Sequence, residues 1–299
     1  MKNKEIPKII VILGPTSSGK SEMAVRLAQK FKGEIISADS RQVYKEMDLG
    51  TGKVTKKEMG NIPHHLLSIA SPKRRFTVVQ YKNLALKSIN KILHKNKVPV
   101  ICGGTGFYIQ ALVDGLIFPE VKPDWKLRRK LEKKTVDELL KQLKTLDPER
   151  IKTIEKKNKR RLIRAIEIVT KAKSPIPLLR KSPIHCDVLI IGIKKEKEEI
   201  KKLIKKRLKR RFDKGMVAEI KKLRKQGVSW KRLEEFGLEY RWIAKFLQKK
   251  ISYNQMLESL QKDSEHFSNR QMTWFKRDKR IKWVEKYKEA KSLTQKFLK

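Results

Sequence analysis

The sequence predicts an α/β fold, a parallel sheet with helices on both faces plus an all-helical insertion domain. Three observations lead there. Short β-branched runs alternate with helical periods over residues 1–118, the pattern of a parallel sheet covered on both sides. A glycine-rich turn, Gly14–Ser21, joins the first such run to the first helical period. From near Pro119 only helical periodicity continues, until one more apolar run at 187–193. That return to strand character predicts an insertion over 119–185 in a core made of 1–118 and 186–299.

The elements follow in order. Lys8–Leu13 (KIIVIL) is a β-branched run closed by Gly14-Pro15, so it reads as a buried strand. Met23, Ala24, Leu27, Ala28 and Phe31 share one face of a helix over 21–31. Glu34–Ser37 reads as a second strand, Gln80–His94 as a helix, and Val98–Cys102 as a third strand closed by Gly103-Gly104-Thr105-Gly106. Phe107–Val113 begins another helix. In the insertion, Ile151, Ile154, Leu162, Ala165, Ile166 and Val169 form one buried stripe, and Lys156–Arg161 opens a helix. Pro175, Pro177 and Pro183 break the chain before the strand Asp187–Ile193. Ile200, Leu203, Ile204, Leu208 and Phe212 line a helix face. Ser252 with Gln255 predicts a capping box, and Lys282–Glu285 a short terminal strand.

Composition narrows the function. Among 299 residues, Lys and Arg number 75 against 32 Asp and Glu, a formal charge of +43. Most of the excess lies between Lys122 and Lys299, so a phosphate-bearing polymer is the expected partner, with solvated helix faces as the bland alternative. No apolar run approaches the ~20 residues needed to span a bilayer, and Ile9–Leu13 is too short for a signal core. Cys102 and Cys186 are the only cysteines, which excludes a disulfide framework or zinc cluster. The chain is expected to be cytoplasmic.

Gly14-Pro15-Thr16-Ser17-Ser18-Gly19-Lys20-Ser21 is a complete G-x-x-x-x-G-K-[ST], with a strand before it and a helix after it. Its backbone N–H groups and the helix N-terminus hold a diphosphate or triphosphate, Lys20 adds a charge, and the Ser21 hydroxyl can ligate Mg²⁺. The fold is therefore P-loop NTPase-like. Asp39 follows the second strand and Thr105 the third, so both should sit with the P-loop at the carboxyl edge of the sheet. Asp39 reads as a turn former, a metal ligand, or a base for a nucleophile that loses a proton as diphosphate departs. His64-His65 lacks partners for a metal site and reads as structural. Trp230, Trp242, Trp274 and Trp283 read as core or interface anchors, with Tyr240 the candidate exception beside Gly237 and Arg241. The run from Lys156 to Arg161, with Arg164 one turn on, reads as a phosphate contact. One of Arg207, Arg210 and Arg211 is expected to turn toward the diphosphate.

Taken together, GPTSSGKS (14–21), SADSRQVYKEMDLGTGK (37–53), VICGGTGFYIQAL (100–112), RRLIRAIEI (160–168), RLKRRFDKGMVAEI (207–220), FGLEYR (236–241) and RQMTWFKR (270–277) resemble the tRNA dimethylallyltransferases. PHHLLSI (63–69) and FTVVQY (76–81) fit the same order, and the resemblance spans about 8–285. It implies transfer of a dimethylallyl group from dimethylallyl diphosphate to the exocyclic amine of the adenosine 3′ of the anticodon. It implies Asp39 as general base, Thr105 as a residue placing the base, and Arg211 near the leaving group, these three being the catalytic set. Residues Thr16–Ser21 match the diphosphate site. Asp39, Ser40, Arg41, Gln42, Thr105, Arg128, Arg160, Arg161, Leu162, Ile163 and Arg164 match positions that contact tRNA. The family further suggests a monomer with no obligate protein partner. Departures are Ser68 for a common Asp, Gly52 for a common Ala, and Asn269 for a common Lys. Two other classes stay open on the residues alone: a P-loop nucleoside or nucleotide kinase, against which the basic insertion argues, and a nucleic-acid-binding ATPase, which would want a cleaner metal-binding strand end than Ile35–Asp39.

Overall fold

The computed structural model describes residues 6–176 and 180–299. Pro177, one of the expected chain breaks, lies outside them. In chain order the elements are β1 (Lys8–Leu13), α1 (Lys20–Lys30), β2 (Gly33–Ser37), α2 (Lys56–Met59), β3 (His64–His65), α3 (Val78–Leu93), β4 (Val98–Gly103) and α4 (Gly106–Val113). Next come α5 (Trp125–Glu132), α6 (Val136–Leu146), α7 (Pro148–Thr153), α8 (Lys159–Ala172), β5 (Asp187–Ile193), α9 (Lys197–Asp213) and α10 (Met216–Lys225). The chain closes with α11 (Trp230–Phe236), α12 (Leu238–Leu247), α13 (Tyr253–Phe275), β6 (Lys282–Val284) and α14 (Tyr287–Leu298).

The six strands form one sheet in the order β3-β2-β4-β1-β5-β6, every neighbouring pair parallel. β1 is central, with Ile10 opposite Val100 on one side and Leu189 on the other. Its residues alternate between two cores. Ile9, Val11 and Leu13 pack with Ile36, Ile101 and residues of α3 and α4. Ile10 and Ile12 pack with Ile35, Val100, Ile191 and residues of α1 and α14. Both faces are covered, so the strands are apolar throughout rather than alternating. Each buried Ile or Leu contributes roughly 1.5–3 kcal/mol. A separate core joins α9 to α13 with Val43, Tyr44 and Met47 from the segment after β2. Thr77 with Gln80 caps α3, and Ser252 with Gln255 caps α13 as expected. Thr55 and Thr135 cap α2 and α6 in the same way.

His64-His65 is structural, as expected: it pairs with β2 as a short edge strand, and His65 Nε2 bonds the buried Glu34 carboxylate at 2.8 Å. Two expectations are corrected. Lys156 and Lys157 precede α8, whose helix starts at Lys159 after Asn158 accepts from Arg161 N. Tyr240 is no exception among the aromatics; it is fully buried and donates to Glu219 Oε1 at 2.8 Å.

Two compact units divide the chain. One joins the described residues up to Asp114 with Pro183–Lys299; the other is Gly115–Ser182. The division lies a few residues ahead of 119–185, because the segments entering and leaving the helical unit pair with each other. Leu116 and Lys181 form an antiparallel bridge, and Ile117 N and Ser182 N donate to Arg180 O and Gly115 O. The helical unit holds its own core of Leu131, Leu139, Leu143, Leu162, Ile163 and Ile166. At its centre the fully buried Glu167 accepts from Arg128 Nε (2.7 Å) and Nη2 (2.6 Å), from Arg164, and from Asp124 N (2.6 Å). Burial works against the Glu167 anion, but these donors hold its pKa below the usual carboxylate value.

Candidate active site

The turn Gly14–Ser21 leaves β1 at the carboxyl edge of the sheet and enters α1. Gly19 precedes the helix with φ +88°, a left-handed conformation that a Cβ penalises. No side chain caps α1 there, so its first N–H groups stay available to an anion. Arg207, on α9, donates through Nη2 to Thr16 Oγ1. Ser17 Oγ, Ser18 Oγ and Arg207 Nε are buried with no hydrogen-bond partner among the described residues. An orphaned buried polar atom costs ~1–3 kcal/mol, so this cluster fits a polar ligand that completes it.

Lys20 Nζ donates to Pro15 O at 3.2 Å. Burial lowers the Lys20 pKa. Cys102 and Asp39 oppose that shift, while Arg207 and Arg211 add to it. Asp39, Arg207 and Arg211 are thus all within electrostatic reach of Lys20. Burial, and then the neighbouring Arg211 cation, push the Arg207 pKa down to about 9. A surplus of cations in a partly buried cradle suits a polyanionic ligand.

β2 and β4 deliver the opposite wall. Gly103 lets the β4 end meet the β2 end, since a Cβ there would overlap Ala38 O. Thr105 N donates to Ala38 O at 3.1 Å, and Thr105 Oγ1 accepts from Ser40 N at 3.0 Å. Asp39 Oδ1 accepts from Arg41 N (2.9 Å) and Gln42 N (3.4 Å), while Oδ2 accepts no hydrogen bond among the described residues. The turn-forming and functional readings of Asp39 are therefore compatible: one oxygen shapes the loop and the other makes no hydrogen bond among the described residues. Gln42 ties the loop to Gly52 O at 3.2 Å.

The expected residues do not all stand alike. Gly14–Ser21, Asp39 and Thr105 come together. Of the three arginines, Arg207 reaches the P-loop, Arg210 is exposed, and Arg211 is buried with Nη1 on Glu239 Oε1 at 3.0 Å. Gly52 makes room for Arg211, because a Cβ at its φ of +60° would fall on the guanidinium. In the helical unit Arg160 and Arg161 are exposed. Arg128 and Arg164 are half-buried on Glu167. Leu162 and Ile163, expected at the RNA, are 0% and 6% exposed and serve the core, so their side chains are not available for contact. Three polar residues escape a reading of the sequence: Glu167, Glu239 and Gln271. The i, i+4 spacing of Arg207 and Arg211 signals a shared face. Nothing local signals Gln271, which lies 255 residues from its partner Thr16.

Fold and site together define a P-loop α/β protein with a helical insertion. A family model described as IPP transferase matches residues 42–278, and the chain belongs to that family. It is 39% identical over 286 residues to a tRNA dimethylallyltransferase of Acetivibrio thermocellus, covering 93% of this chain and 91% of the relative. Its structure is similar to that of the full-length tRNA isopentenylpyrophosphate transferase of Bacillus halodurans, with TM-score 0.74 and 30% identity over 97% of this chain and 96% of that one. A eukaryotic dimethylallyltransferase acting on tRNA shares the fold, with TM-score 0.74 at 24% identity over 90% of this chain and 69% of that one. These relatives are tRNA dimethylallyl- and isopentenyltransferases rather than phosphotransferases, which overturns the kinase alternative.

Proposed function

We propose that this protein transfers a dimethylallyl group from dimethylallyl diphosphate to the exocyclic amine of the adenosine 3′ of the anticodon in tRNA, in the cytoplasm. The observation that carries the reading is the pairing of a cation-rich phosphate cradle after β1 with a half-free carboxylate, Asp39, after β2, across the intervening β4. The amine lone pair attacks the allylic carbon, the carbon–oxygen bond breaks, and its electron pair leaves on diphosphate. The P-loop N–H groups, Lys20 and Arg207 stabilise that developing charge, with Arg211 behind them. Asp39 takes the amine proton through Oδ2. Thr105 holds the loop that carries Asp39, and Ser40–Gln42 offer polar groups to the extruded base.

The residues present fit a Mg²⁺ ion that Ser21 would help hold beside the diphosphate. Ser21 supplies a hydroxyl, and the described residues contain no cluster of three metal-ligating side chains. Bound there, it would neutralise charge on the diphosphate. No helix among the described residues is long and apolar enough to cross a membrane. Arg160, Arg161 and the neighbouring lysines supply backbone affinity for tRNA, while Arg128 and Arg164 are held ready by Glu167.

Incubation with labelled dimethylallyl diphosphate, Mg²⁺ and unmodified tRNA, followed by nucleoside analysis, tests the reading. Label in a single modified adenosine is expected. Label absent from tRNA, with turnover of ATP and a small acceptor instead, would refute it.

A further inference from the structure

We propose that Gln271 is a positioning residue that fixes the spacing between the phosphate cradle and the Asp39 wall. The inference rests on the transferase reading and deepens it. Gln271 lies on α13 and is 7% exposed. Its Oε1 accepts from Thr16 N at 2.8 Å, and its Nε2 donates to Gly104 O at 2.7 Å. An N–H can only donate and a carbonyl can only accept, so the amide orientation is fixed by its partners. One planar group therefore clamps the loop after β1 to the loop after β4.

From Gly104 the connection continues to the base. Thr105 Oγ1 receives Ser40 N, and Ser40 adjoins Asp39. The connection runs from Thr16 through Gln271, Gly104, Thr105 and Ser40 to Asp39. The glycines on β4's loop form the seat for α13. A Cβ on Gly104 would overlap Gln271 Nε2, and one on Gly106 would overlap the Trp274 indole. The same geometry separates binding from chemistry. Thr16 N is already committed to Gln271, which leaves the diphosphate to the other cradle groups. Loss of Gln271 should then change where Asp39 stands relative to the bound donor more than it changes how tightly phosphate is held.

Gln271→Met keeps the side-chain length and removes both hydrogen bonds. Its kcat should fall about 10–100-fold through misplacement, with the Kd for inorganic pyrophosphate within about threefold of wild type. Gln271→Glu retains the acceptor but offers Gly104 O no donor until the carboxyl protonates. With its carboxyl ionised near neutrality, this variant should lose kcat as the Met variant does. Wild-type kcat in either variant would overturn the proposal, and so would pyrophosphate affinity lost in step with rate in the Met variant. The wild-type protein is assayed first. If it leaves tRNA unmodified, the transferase reading fails and takes the inference with it; if it modifies tRNA, the variant outcomes count only for or against Gln271.

Discussion

Lys20 and Arg207 are partly buried cations that water stabilises incompletely. Both pKa values are lowered, mainly by burial, and that of Arg207 falls to about 9. A cation with a lowered pKa loses its charge earlier as pH rises, so the free enzyme should bind the diphosphate donor less well on the alkaline side. The kcat/KM for dimethylallyl diphosphate is expected to decline above about pH 9, while a donor-saturated kcat declines later because the bound anion raises both pKa values. A pH profile of the two parameters checks this. At this scale a sequence is informative where a motif carries its own context. Gly14–Ser21, Asp39 and Thr105 are legible because strand ends converge on one sheet edge. Arg207, Glu239 and Gln271 depend on which face a distant helix turns inward, and no local spacing settles that.

Among the elements, the edge of the sheet and helix α8 make the clearest tests. Glu34 opens β2 fully buried, beside Lys95, Lys97 and His65. Burial works to raise its pKa, but hydrogen bonds from Lys97, His65 and Lys95 outweigh that and hold it at about 2. A depressed carboxylate stabilises the fold above its ordinary value of 4.5 and loses that contribution as pH falls toward about 2. Glu34→Gln should therefore cost on the order of 2 kcal/mol near neutrality, with the difference from wild type closing below pH ~4.5. Urea unfolding across that range measures it.

Helix α8 sets exposed Arg160 and Arg161 beside the buried Leu162, so folding and the proposed recognition can be tested separately. Leu162→Ala should destabilise the helical unit by roughly 2–5 kcal/mol, visible in thermal unfolding, because the side chain is fully buried. Charge reversal at Lys157, Lys159 and Arg160 should leave the melting temperature nearly unchanged. It should weaken tRNA binding and reduce the slope of log affinity against log salt by about 0.7–0.9 for each phosphate no longer neutralised. Filter binding at several salt concentrations reads this out; an unchanged slope would remove the helix from the RNA interface. The basic run is visible in the sequence but its division is not. The start of α8 depends on Asn158, and a stripe of apolar residues does not reveal which adjoining positions stay dry.

For the whole molecule, the parallel sheet and its strand ends are legible because both-face burial forces continuous apolar runs at Lys8–Leu13 and Asp187–Ile193. The order of the strands and the separate core of α9–α13 are not. They arise from interactions across the chain, such as Glu219 accepting from the backbone of Asp48, Leu49 and Gly50. In the proposed reading the resulting arrangement sets a diphosphate cradle after β1 across β4 from a base after β2. Single-turnover transfer by Asp39→Ala, run beside tRNA-binding measurements on the same protein, tests that arrangement most directly. The rate should drop by about 10²–10⁴ with tRNA affinity close to wild type. Weakened tRNA binding with an unchanged rate per bound complex would contradict it.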